Sequence, residues 1–273
     1  MFKGFNLELG MQEPQAFLGI NDLDIQIYDE HIEDLRKKLN RSIDERVELP
    51  RNEDDSIDAS RLINDWFPDY KPDVFISHSH SDERTAKRIA CWLKKNFDLN
   101  AFIDSTVWGN SNDLLKRIDN KYCVTKIDKN GNKTYDYNIR NFTTSHVHMM
   151  LSTALNDMIY ASECVLFLNT PKSVQTAEIK DKKTNSPWIY SELKTACIVE
   201  KICPRYKVRE AVIHRGMPIE NGLMMMPDVL YPVEEQLSTF ESLGSKNLIQ
   251  WETEYRANES VHPLDCLYKL DKI

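Results

Sequence analysis

The sequence predicts an α/β protein organised around an open parallel sheet. Short continuous apolar runs, Val74–Ile76 and Cys164–Leu168, suit strands buried on both faces. Segments of helical period alternate with them, which is the signature of β-α-β units rather than of a sandwich or a bundle. Ordinary globular composition, 41% hydrophobic and 10% aromatic, supplies enough apolar surface for such a core and excludes disorder as the default.

In chain order, residues 1–70 read as a helical extension followed by a linker. Tyr28, Ile32, Leu35, Leu39 and Ile43 recur at helical spacing, and the acidic, turn-rich stretch 51–60 follows them. The amphipathic piece 61–67 leads through Pro68 and Pro72 into the first strand, residues 73–77. Small polar residues (Ser77, Ser79, Ser81, Asp82) then open a helix whose one face carries Ala86, Ile89, Ala90, Leu93 and Phe97. Residues 99–103 supply the second strand, so the crossover helix predicts two parallel neighbours.

From 104 to 142 the pattern is irregular: a loop with Trp108 and Gly109, a short helical stretch near Leu114, and alternation around Asn130-Gly131 that predicts a β-hairpin. A long helix with Val147, Met150, Leu151, Ala154, Leu155, Met158 and Ile159 on one side delivers the chain to the third strand, 164–168, with His146 and His148 solvated or capping. Ser186 and Pro187 give an N-cap and a first helical position for a helix from Trp188 to about Glu200, burying Ile189, Leu193, Ala196 and Cys197. AVIH (211–214) and VLYPV (229–233) are candidate fourth and fifth strands, and 234–273 mixes short helical and loop patterns.

Composition removes several functions. With 35 Lys+Arg against 43 Asp+Glu the net charge is −8, which offers nothing to grip a phosphate backbone, so no nucleic-acid partner is expected. The 8 glycines stand too far apart to frame a P-loop, a G-x-G-x-x-G turn or a G-x-S-x-G elbow, so a nucleotide must be held by other means. Six cysteines without a C-x-x-C pair fit a reducing, cytoplasmic setting, and no apolar run approaches a membrane span, so no membrane partner is expected.

Ligands of an open parallel sheet bind outside the carboxyl ends of its strands. Three segments fall there: SHSHSDE after the first strand, DSTVWGN after the second and SPWIYSE after the third. Trp188 and Glu192, four apart, share a helix face beside the stripe of Ile189, Leu193 and Ala196. Taken alone, an aromatic and a carboxylate at this spacing are a helix-entrance packing residue and a solvated charge.

DVFISHSHSDE (73–83), LNAFID (99–104), the helix–strand pair from Asp157-Met158-Ile159 to Leu168-Asn169, and SPWIYSEL (186–193) occur in the order found in Toll/interleukin-1 receptor (TIR) domains. The chain resembles a bacterial TIR protein of the NAD⁺-cleaving branch, similar to antiphage-defence (Thoeris-type) TIR proteins, over 72–202 and more weakly to 233. The division implied is an extension at 1–70, a TIR domain at 71–233 with a hairpin insertion at 113–142, and a C-terminal extension at 234–273.

The resemblance implies a flavodoxin-like five-stranded sheet with helices on both faces. It also implies cleavage of the nicotinamide N-glycosidic bond of NAD⁺, the substrate, with no metal and no cofactor. Glu192 matches the essential helix glutamate and Trp188 the aromatic one turn earlier. Phe75, Ser77 and His78 match residues flanking the substrate site, and Asp104 and Ser105 open the so-called BB loop. In the family that loop helps a neighbouring protomer complete the site, so self-association is implied, as is immune or antiviral signalling through an effector that reads the nucleotide product. Where many relatives carry a tyrosine and basic residues after the first strand, this chain has His78-Ser79-His80.

The chemistry needs little machinery. Nicotinamide leaves neutral, so no general acid is required, and a fixed carboxylate can stabilise the oxocarbenium-like ribose. Water attack gives ADP-ribose; internal attack gives a cyclic isomer. Two other readings stand beside this one. One is a non-catalytic scaffold acting by self-association. The other is a metallo-β-lactamase-like zinc hydrolase, from the spacing His78-x-His80-x-Asp82, whose motif would need a histidine where Glu83 stands.

Overall fold

The computed structural model describes residues 1–9, 17, 19–32, 50–54, 56–66, 71–103, 105–176, 182–201 and 230–270, with the backbone alone at 59, 64–66, 105–111 and 176. The chain divides into two compact units. The first, made of 1–28, 71–104 and 158–273, contains a five-stranded, all-parallel sheet of flavodoxin-like α/β construction.

Its strands are β1 (Lys3–Glu8), β2 (Val74–Ser77), β3 (Ala101–Ile103), β6 (Cys164–Asn169) and β10 (Glu241–Gly244), in the spatial order β10-β1-β6-β2-β3. After β3 the chain returns to the other side of β2, where β6 lies, so the order of travel reverses between β2 and β6. That reversal opens a crevice at the carboxyl ends of those two strands.

One sheet face packs on α3 (Glu83–Phe97), α8 (Ser245–Ala257) and α9 (Pro263–Tyr268). Phe5 and Leu7 of β1, Val74 and Ile76 of β2, and Leu166 and Leu168 of β6 point into this core with Ile89, Leu93 and Trp251. Each such side chain contributes about 1.5–3 kcal/mol when fully buried. Trp92, Phe97 and Trp251 stack or meet edge-on within 5.4 Å and lock α3 to α8. Helix α3 stops at Asp98, which takes a left-handed conformation (φ 54°) while its N–H reaches back to Leu93 and Lys94, and the chain turns into β3.

The sequence-based division is corrected at both ends. Residues 3–8 are an internal strand rather than part of a helical extension, and 241–244 form the edge strand beyond it. Gly4, Asn6 and Glu8 alternate with Phe5 and Leu7, so β1 carries a half-polar pattern that a search for continuous apolar runs passes over. Among its described residues VLYPV contributes β9 (Tyr231–Pro232), which joins β7 (Gln175–Thr176) and β8 (Lys182–Thr184) in a separate antiparallel sheet. Proline cannot donate to a ladder, which fits this short edge position and not a central parallel strand. AVIH lies outside the described residues.

The second unit comprises 29–70 and 105–157. It contains α2 (Ala59–Trp66), α4 (Ser105–Ile118), a π-turn at Asp119–Cys123, the hairpin β4 (Val124–Ile127) and β5 (Lys133–Tyr135), and most of α5 (Tyr137–Ala161). The hairpin stands where Asn130-Gly131 predicts it, with Gly131 at φ 83° and the Asp128 carboxylate accepting from the N–H groups of Asn130 and Asn132. At its base the buried Asp119 accepts from Arg140 Nε at 2.9 Å and Thr143 Oγ1 at 2.8 Å. Two further helices are described, α1 over 22–32, where Tyr28 and Ile32 fall, and, in the first unit, α7 (Glu234–Ser238).

Cys91, Cys123, Cys164, Cys197 and Cys266 are free thiols, and burial pushes that of Cys164 well above its ordinary range. Among the described residues no helix is long and apolar enough to cross a membrane.

Candidate active site

Strand β2 is buried along its whole length, and it ends by presenting Ser77 to the face opposite the α3 core. Helix α6 (Pro187–Ile198) starts as its sequence dictates: Ser186 Oγ accepts from Ile189 N at 3.3 Å, and Pro187 occupies the first turn, where its missing N–H costs nothing. Thr184, on β8, accepts from Ser186 N and ties the helix start to the small sheet, against which Tyr190 stacks on Tyr231 at 5.1 Å.

Glu192 lies in the second turn of α6, and Ser77 Oγ donates to its Oε2 at 2.6 Å. Both residues are buried, Ser77 at 0% and Glu192 at 3% exposure. A carboxylate removed from water costs several kcal/mol unless hydrogen bonds replace its hydration, and an O–H donor at this distance is of the short, charge-assisted kind. Position beside the apolar stripe leads one to expect a solvated Glu192; the sheet edge instead covers that flank of the helix. Trp188, one turn earlier, is partly exposed.

The remaining predicted residues divide. Phe75 is fully buried one row below Ser77, against Phe102 at 5.7 Å, and forms the floor under the site. His78 is buried at the strand end, 3% exposed. Asp104 lies outside the described residues. Ser105 is the first residue of α4, its side chain outside those described. The expected BB loop is therefore corrected: 105–118 are helical. Leu114 and Ile118, buried one turn apart, carry the helix into its last turn, and Gly109 within it costs only about 1 kcal/mol relative to alanine.

The loops after β2 and β6 are tied across the crevice. Thr170 Oγ1 donates to the buried Asp82 at 2.5 Å, and Lys172 Nζ lies 3.3 Å from the same carboxylate and donates to Ser81 O. Asp82 is thereby committed to Thr170 and Lys172, while the His80 side chain, 91% exposed, stands 3.9 Å from Glu83. The three residues of the zinc spacing do not converge, and among the described residues no group of three His, Cys, Asp or Glu side chains does.

Sequence reasoning missed the polar residues of β1 and its neighbour. Asn6 is paired in register with Phe167, and Phe167 with Ser77, so all three share a row and a face. Asn6 Nδ2 donates to Glu8 Oε1 at 2.9 Å, and Asn169 Nδ2 reaches the same oxygen at 3.3 Å. The period-2 alternation of residues 4–8 was the available signal. A groove of about 450 Å³ between α3 and α8, lined by Ile20, Lys95, Glu252 and Arg256, lies at the opposite, amino edge of the sheet, since α3 ends there before β3 begins. Comparisons with protein-family models, with curated proteins and with solved structures find no match.

Proposed function

We propose that this chain is a TIR-type NAD⁺-cleaving enzyme in which Glu192 faces the ribose of the nicotinamide half. The observation that carries the reading is the 2.6 Å bond from Ser77 Oγ to a buried Glu192 carboxylate at the carboxyl edge of β2. The C1′–N bond breaks with its electron pair passing to the nicotinamide ring, whose positive charge is thereby neutralised. Positive charge develops instead on the ribose, where a pre-oriented carboxylate in a water-poor site stabilises it. Ser77 fixes one carboxylate oxygen. A carboxylate has about four lone-pair sites, so this bond leaves capacity for ribose hydroxyls. Trp188, partly exposed on the same helix face, offers a plate for a ring of the dinucleotide. Water then attacks C1′ and releases a proton to solvent, or a nucleophile within the ADP-ribose moiety closes a ring.

The test is mass spectrometry of nicotinamide, ADP-ribose and its cyclic isomers after incubating the full chain with NAD⁺. Because Glu192 is buried, Glu192→Gln is the appropriate variant: it keeps an acceptor for Ser77 and removes only the charge. Nicotinamide release is expected to fall by about 100-fold or more, with the circular dichroism spectrum unchanged. Full activity in the variant overturns the assignment of Glu192, and no nicotinamide release from the unmodified chain overturns the enzyme reading and leaves a non-catalytic self-association module.

A further inference from the structure

Strand β1 brings a second carboxylate to the edge where Ser77 and Glu192 meet. Glu8 is exposed at the carboxyl end of β1, on the same sheet face as Asn6 and, through the register, as Ser77. Its Oε1 is held by two amides, Asn6 Nδ2 at 2.9 Å and Asn169 Nδ2 at 3.3 Å. Asn6 is 4% exposed, and its own Oδ1 has no hydrogen-bond partner among the described residues. The donation to Glu8 fixes which end of the amide is nitrogen, so the unmet atom is an acceptor. A buried amide with half its bonding unmet costs free energy that an apolar residue at the same place would not, which points to a purpose for the amide other than packing.

Two strand spacings separate β1 from β2, about 10 Å, and Glu8 stands about 7 Å further along the strand direction than Asn6. A dinucleotide bridges such a span from one ribose to the other. We infer that Glu8, oriented by Asn6 and Asn169, binds the vicinal hydroxyls of the second, adenosine-side ribose, and so selects dinucleotides whose 2′-hydroxyl is free. The anchored Oε1 and the remaining Oε2 present acceptors to two hydroxyl donors. A 2′-phosphate at that place would replace a donor with a like charge. Asn6 and Asn169 are positioning residues here. This inference rests on the proposed NAD⁺-cleaving reading and identifies what that site recognises at its far end.

Calorimetric titration of the full chain with NAD⁺, NADP⁺ and nicotinamide mononucleotide tests it, in a Glu192→Gln background so that ligand is not consumed, with Glu8→Gln and Asn169→Ala added singly. Glu8→Gln is expected to weaken NAD⁺ about 10- to 100-fold, the size of a lost charge-assisted hydrogen bond. It should leave nicotinamide mononucleotide, which lacks the second ribose, unchanged, and narrow the preference for NAD⁺ over NADP⁺. Asn169→Ala is expected to show the same pattern with smaller amplitude. If Glu8→Gln leaves NAD⁺ affinity unchanged, or weakens NAD⁺ and the mononucleotide alike, the subsite is refuted while cleavage of NAD⁺ by the unmodified chain still stands. Absence of both NAD⁺ binding and cleavage refutes the two together.

Discussion

Ser77 and Glu192 stand 115 positions apart in the chain and 2.6 Å apart in space, with both side chains buried. Neither residue type is unusual in itself; the pairing is what converts a helix carboxylate into a fixed one. The same face shows how closely the sheet is packed at single atoms. Phe240 lies over Gly4, where an added Cβ would meet the ring at 2.9 Å, and Gly4 therefore serves close approach and not backbone freedom. Gly4→Ala is expected to cost about 1–3 kcal/mol, the usual price of overpacking, read as a lowered urea midpoint at constant slope. An unchanged midpoint would mean that Phe240 does not hold β1 in place.

Elements with local signals were legible from the residues that build them. The Ser186-Pro187 start of α6, the Asn130-Gly131 hairpin and the helix after β2 all follow from capping, turn and period rules that act within a few residues. The segment after β3 was not. Gly109 and the small polar residues around it read as a loop, yet the helix runs through them because burial of Leu114 and Ile118 outweighs a modest propensity cost. Since α6 carries both Trp188 and Glu192, its cap bears on the site. Ser186→Ala is expected to lower stability by about 1 kcal/mol and to reduce nicotinamide release far less than Glu192→Gln does. A loss of activity as large as that of the glutamate variant, without loss of stability, would give Ser186 a direct role that a cap does not have.

At the scale of the sheet unit, strand order overrides chain order. β1 pairs with β10 on one side and β6 on the other, so residues 3–8 lie inside the sheet and not at its margin. Removing them would expose the edges of both neighbours and delete Phe5 and Leu7 from the core. A chain truncated to 71–233, the span drawn from the TIR resemblance, is expected to lack cooperative urea unfolding and near-ultraviolet dichroism. Cooperative unfolding of that fragment would show that the sheet closes without β1 and β10.

Residues within a few positions of one another settled the helix starts, the hairpin turn, the buried strands 74–77 and 164–169, and the pairing of an aromatic with a carboxylate on one helix face. Those features depend on torsional preference and periodicity, which any short window contains. Only the tertiary structure decided that residues 3–8 lie between β10 and β6, that Glu192 is buried against Ser77, and that Asn6, Glu8 and Asn169 meet at one edge. Parallel strands are joined by long crossovers, so which strand neighbours which is fixed by competition for burial across the whole sheet, a quantity no local window holds.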